Sequence, residues 1–176
     1  VGCLQLPPRA GRVSEMEMLL FNIGGDTYGV ELSDVDEVLH MPTLRPIPSA
    51  PSFLAGVLNL RGELVPVIDL VERLGQMRVT PPPPISSREQ AQSPYPKGTR
   101  LLLTESGDGF RYAVIMDGWK GIHSFEEESY REGVLTRDGK LPWINGINLG
   151  ESGMVQRILL RSLLRDEERA LLQNQV

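Results

Sequence analysis

The chain has 176 residues, of which 40% are hydrophobic and 23% charged, enough for one compact domain or two half-sized lobes sharing a core. Its longest apolar runs, such as Leu101-Leu102-Leu103, span a few residues, well short of the roughly 20 that cross a bilayer, so no direct membrane insertion is expected. A formal net charge of −5 argues against a surface built to neutralise phosphates, and nucleic acid is not an expected partner.

Residues 1–14, with Cys3 near Pro7-Pro8, read as an N-terminal tail. One cysteine permits no internal disulfide and suits a reducing cytoplasm, the expected location. With two histidines, His40 and His123, no multi-histidine or all-cysteine metal site can be assembled, and neither a metal nor another cofactor is expected.

The first strands fall on Leu19-Leu20-Phe21-Asn22-Ile23 and on Tyr28-Gly29-Val30-Glu31-Leu32, joined through Gly24-Gly25-Asp26. Alternating apolar residues on either side of a glycine turn form a hairpin signature. A second pair lies at Gly56 to Leu60 and Leu64 to Leu70, flanking Arg61-Gly62-Glu63. Gly62 there supplies a positive φ, and Pro66 must lie where no ladder donor is needed. Residues 78–99, with Pro81 to Pro84, Pro94 and Pro96 among Ser and Gln, read as an extended, solvated linker.

Beyond the linker both pairs recur. Leu101-Leu102-Leu103-Thr104 leads through Ser106-Gly107-Asp108-Gly109 into Phe110 to Met116, and Gly146-Ile147-Asn148-Leu149 precedes Met154 to Leu160. The repeat predicts two similar small β-barrels, one lobe over about 15–77 and the other over about 100–164. A half of about 65 residues buries little surface alone, so the lobes are expected to share an apolar seam. Leu160, Leu163, Leu164, Leu171 and Leu172 then fall near helical spacing and predict an amphipathic C-terminal helix, with residues 165–176 its end and tail.

Catalytic patterns are missing. No Gly-x-Ser-x-Gly turn accompanies the histidines, and the glycine clusters lack the Lys-Ser/Thr of a phosphate cradle. The acidic run Glu126-Glu127-Glu128 reads as a solvated face. An enzyme is not expected.

The segment with the most unusual chemistry runs from Gly56 to Leu70, where a polar turn sits in an apolar setting and holds Arg61 on a stiff frame, its guanidinium placed to pair with a carboxylate. This segment resembles the CheW-like coupling domains of bacterial chemotaxis. The resemblance is carried by Asp26-Thr27-Tyr28-Gly29-Val30, Val35-Asp36-Glu37-Val38, Pro46-Ile47-Pro48, Gly56-Val57-Leu58-Asn59-Leu60-Arg61-Gly62 and Pro66-Val67-Ile68-Asp69-Leu70, and extends from about Met16 to Leu164. It implies a mainly β fold of two SH3-like five-stranded barrel lobes in a domain over 15–164. It also implies a non-catalytic adaptor joining the cytoplasmic tip of a methyl-accepting chemoreceptor to the regulatory domain of a chemotaxis-type histidine kinase. By that resemblance Glu37 and Arg61 are the coupling residues. Gly56, Asn59 and Gly62 frame the turn, and Val35, Val38, Val57 and Leu58 are expected to form an apolar contact surface beside it. The second half departs from the family pattern at Met116-Asp117-Gly118-Trp119-Lys120-Gly121 and Ile158-Leu159-Leu160-Arg161, which leaves an adaptor of a pilus or surface-motility pathway as an alternative. A small-barrel nucleic-acid binder is the alternative of another class. By residue type Trp119 and Trp143 are candidate contact residues, though tryptophan in a small barrel is more often core.

Overall fold

Two glycines with positive φ, Gly24 (60°) and Gly25 (94°), turn β1 (Glu15–Ile23) back on β2 (Asp26–Glu31) with Ile23 opposite Asp26, as a two-residue hairpin loop requires. The computed structural model describes residues 15–75, 95–96, 98–132, 143–150 and 153–175. The tail over 1–14 and all but four residues of the 78–99 linker lie outside them. In chain order there follow β3 (Glu37–His40), β4 (Leu54–Leu60), β5 (Glu63–Asp69), the single-turn helix α1 (Leu70–Arg73), β6 (Arg100–Glu105) and β7 (Arg111–Met116). Next come β8 (Trp119–Glu126), β9 (Tyr130–Glu132), β10 (Ile144–Gly150), β11 (Gly153–Ile158) and α2 (Asp166–Gln175). The fold is mainly β, and all four expected hairpins form: β1 with β2, β4 with β5, β6 with β7, and β10 with β11.

The sheets do not follow the two sequence halves. One has six strands in the order β8-β1-β2-β11-β10-β9, and the other has five, β3-β6-β7-β5-β4. Each half therefore gives its first hairpin to the other half's sheet. The halves are joined by two short parallel pairings, with Ile158 beside Val30 and Ile68 beside Val114, and by two antiparallel ones, β1 with β8 and β3 with β6. This corrects the expectation of one lobe up to about 77 and another from about 100. Hairpin pairing is local and legible, whereas two similar hairpins can each complete either sheet, and only long-range packing selects between them.

The lobes differ from the expectation in strand number as well, and among the described residues no ladder closes either sheet into a barrel. The repeat is still exact enough to place matching irregularities: β4 slips register between Leu54 and Gly56, and β10 between Ile144 and Gly146. At both glycines a Cβ would lie 2.5 Å from a neighbouring backbone oxygen, that of Arg45 or Arg131. Only glycine permits this approach.

Three apolar clusters result. The largest is the seam between the sheets, where Leu19, Phe21, Tyr28 and Val30 meet Ile68, Leu102, Tyr112, Val114 and Met116. The far face of the five-stranded sheet packs Leu58, Val65, Val67, Leu101, Leu103, Ala113 and Ile115, and that of the six-stranded sheet packs Met18, Leu20, Phe125 and Val155. Strands buried on both faces explain why β6 and β7 read as nearly continuous apolar runs.

The C-terminal helix begins later than its leucines suggested. Leu160 to Ser162 form a 3-10 turn, and Leu160, Leu163 and Leu164 enter the seam before α2 starts at Asp166. Within α2, Leu172 is buried but Leu171 is 45% exposed. No described helix is long and apolar enough to cross a membrane.

Candidate functional site

The turn that joins β4 to β5 consists of Arg61 and Gly62, with φ of 54° and 93° and with Leu60 opposite Glu63. Two consecutive positive φ values define the hairpin turn whose twist matches the flanking strands. Gly62 takes its position freely. Arg61 does not, since a side chain in the left-handed region crowds its own backbone. The Gly62 N–H donates to Asn59 Oδ1 at 3.0 Å, which fixes the turn from within the hairpin.

Glu37 opens β3, at the opposite edge of the same sheet, yet its Oε1 lies 3.8 Å from Arg61 Nη2. A flat sheet would hold its first and fifth strands about 19 Å apart. The five-stranded sheet therefore curls until its two edges approach, with Leu39 of β3 and Leu58 and Leu60 of β4 meeting in one apolar cluster. The ion pair spans the gap that hydrogen bonds leave open. Its side chains are 78% (Arg61) and 23% (Glu37) exposed, so water screens the pair and it contributes at most about 1 kcal/mol to stability.

Two charges that sequence reasoning missed stand beside it. Arg111, at the start of β7, donates to Glu63 across 2.7 Å. Their signal was faint, a basic residue opening one strand and an acidic residue opening the strand that becomes its parallel neighbour, 48 positions away in the chain. With Leu64 also exposed, this end of the molecule carries two ion pairs around one apolar side chain.

Of the expected contact residues, the structure gathers Glu37, Asn59, Arg61 and Gly62 at this end and leaves Val38 and Val57 half-buried. Val35 and Leu58 are not surface residues. Val35 belongs to the seam and Leu58 to the cluster inside the curl. Gly56 is buried against Arg45, whose backbone exchanges two hydrogen bonds with Val57. Next to Val35, burial pushes the Asp34 carboxyl above its ordinary range despite Arg161 at 2.8 Å.

A second charged cluster lies where the sheets meet α2. Asp69 caps α1 by accepting the N–H groups of Val71 and Glu72 at 3.0 and 3.4 Å, as an N-cap carboxylate does. The capped turn delivers Arg73 to a site where its side chain is 7% exposed. The guanidinium lies 4.6 Å from the Phe53 ring centre and 4.3 Å from that of Trp143. It donates to the Leu163 carbonyl through Nε (3.2 Å) and Nη2 (2.9 Å) and to both oxygens of Glu168 at 2.7 and 2.6 Å. Trp143 is thus core, whereas Trp119 on β8 is 41% exposed. Among the described residues, no cluster of three or more His, Cys, Asp or Glu is placed to hold a metal.

The family model for the CheW-like domain matches residues 17–168, which take in strands of both sheets. A chemotaxis protein CheW of Klebsiella aerogenes is 27% identical over 168 residues, 94% of this chain and 91% of that protein. Protein PilI of Pseudomonas aeruginosa is 29% identical over 143 residues, 81% of this chain and 72% of that one. The crystal structure of the scaffolding protein TtCheW from Thermoanaerobacter tengcongensis superposes with a TM-score of 0.68 at 26% identity, covering 87% of this chain and 96% of that chain.

Proposed function

Because the chain belongs to the CheW-like domain family, we propose that it is a cytoplasmic, non-catalytic adaptor that couples the tips of chemoreceptors to the regulatory domain of a histidine kinase. The observation that carries this reading is the family match across both sheets. The exposed end of the five-stranded sheet supports it. Arg61 is poorly placed to stabilise the fold and well placed to meet a partner, since a guanidinium on a stiff turn offers a fork of donors to an acidic side chain at little cost in ordering, and Glu37 stands beside it. Leu64 and the half-buried Val38 and Val57 supply apolar area nearby.

Pull-down titrations against receptor tips and kinase test the assignment. Arg61→Glu is expected to weaken binding about tenfold or more, the scale of a lost charge-assisted contact, while leaving the melting temperature nearly unchanged. Pairing it with Glu37→Arg is expected to restore part of the loss if the two act together. Unchanged binding of Arg61→Glu to both partners would remove the site.

The likeness to the protein named PilI supports a second reading, the same adaptor role in a pilus or surface-motility pathway. Co-purification from the native cell, with identification of the bound kinase, separates the two.

A further inference from the structure

Helix α2 is held on the protein differently from every strand. Among its described side chains only Leu172 is buried, Leu171 faces water, and its first turn is Asp166-Glu167-Glu168. An isolated helix of ten residues is marginal in water, so its order depends on its anchors. Beyond Leu172 these are polar: the fork of Arg73 on Glu168, the ion pair between Arg169 Nε and Asp108 at 3.2 Å, and an Arg169 bond to the Leu164 carbonyl. Leu163 and Leu164, just before the helix, are buried in the seam. A hinge at Arg165 would therefore free α2, withdrawing Leu172 from the seam cluster but breaking no strand pairing.

Arg73 does not depend on α2 for its position. Phe53, Trp143 and the Leu163 carbonyl all hold it from outside the helix. With α2 lifted, the guanidinium stays aimed at the place of the Glu168 carboxylate, now wetted, beside the apolar socket of Leu172. A fixed fork of donors next to an apolar socket is a preorganised receptor for a carboxylate and a leucine four residues apart on one helix face.

We propose that α2 is a detachable strap, opening at Arg165 independently of the sheets, and that the trough it vacates accepts a partner helix presenting an acidic residue four positions before a leucine. α2 itself shows what the trough takes, with Glu168 and Leu172 in that spacing. The strap then excludes the partner until one competes for Arg73.

Hydrogen exchange on the full chain tests the opening. The amides of α2 are expected to exchange at least about 100-fold faster than those of β1, β5 and β7, as a sub-global opening does. Glu168 also accepts the Arg165 N–H at 2.8 Å, capping its own helix. Glu168→Gln keeps that acceptor and removes the charge, and is expected to speed exchange in α2 about tenfold while the strands stay unchanged. A labelled peptide of residues 165–175 is then titrated into the Glu168→Gln chain. It should bind at least about tenfold more tightly than the same peptide with Gln at that position, and Arg73→Lys in the chain should abolish the difference. Exchange of α2 only together with the strands overturns the strap. Equal binding of the two peptides overturns the trough.

Discussion

Arg61 occupies a backbone position that favours glycine, and its guanidinium is mostly in water. Left-handed backbone costs a side-chain-bearing residue about 1 kcal/mol, and an exposed ion pair at 3.8 Å returns little of it. The arginine is thus held where it does not serve the fold. Arg61→Gly is expected to leave stability within about 0.5 kcal/mol of the parent, on the stabilising side, because strain relief outweighs the greater freedom of glycine in the unfolded chain. Partner binding should fall in the same variant, so urea denaturation and titration together distinguish a contact residue from a structural one. The turn and its charge were legible in the sequence, because Asn59, Gly62 and flanking alternation specify a hairpin. Val35 and Leu58 were misplaced on the surface for a physical reason. Val57 and Leu58 are neighbours on β4 and so face opposite ways, which turns Leu58 into the cluster inside the curl, while Val35 precedes β3 and packs into the seam.

At the scale of elements, the C-terminal α2 depends on the one-turn helix α1 through Arg73 and Glu168. Burial acts to raise the Glu168 carboxyl, but hydrogen bonds from Arg73 and the Arg165 amide, with the charges of both arginines, hold it below the usual glutamate range. A carboxyl lowered in the folded state stabilises that state above its unfolded value and loses the contribution as pH falls through the folded one. α2 should therefore loosen as the solution is acidified below about pH 4. In the Trp119→Phe chain, where Trp143 beside Arg73 is the remaining tryptophan, fluorescence is expected to change over that range, and Glu168→Gln should flatten the change. None of this was visible beforehand. Leucine spacing located a helix but not its start, and nothing in the local pattern around Arg73 announces partners 90 and 95 positions away. Asp69 belongs to a conspicuous sequence motif, but its work is to cap the turn that positions Arg73.

Across the whole molecule the exchange of hairpins outweighs any single contact. The first half alone holds β1 and β2 without β8 or β11, and β3 to β5 without β6 or β7 between them. Fragments of residues 1–77 and 98–176 are accordingly expected to show no cooperative thermal transition separately and to regain one when mixed, read by circular dichroism. A fragment that melts cooperatively by itself would contradict the interlocked arrangement. The internal repeat was legible because its hairpins share turn chemistry and matched irregularities at Gly56 and Gly146. Which hairpin joins which sheet was not, since that choice rests on pairings such as Ile158 with Val30, across most of the chain.

The same interlocking sets a timetable for synthesis. The strand holding Val30 leaves the ribosome long before Ile158, its neighbour in the finished sheet. At about 5–20 residues per second that interval is on the order of ten seconds, during which β2 has an open edge and an uncovered apolar face. A nascent chain of this architecture has to wait, shielded from its neighbours, until nearly its last strand arrives.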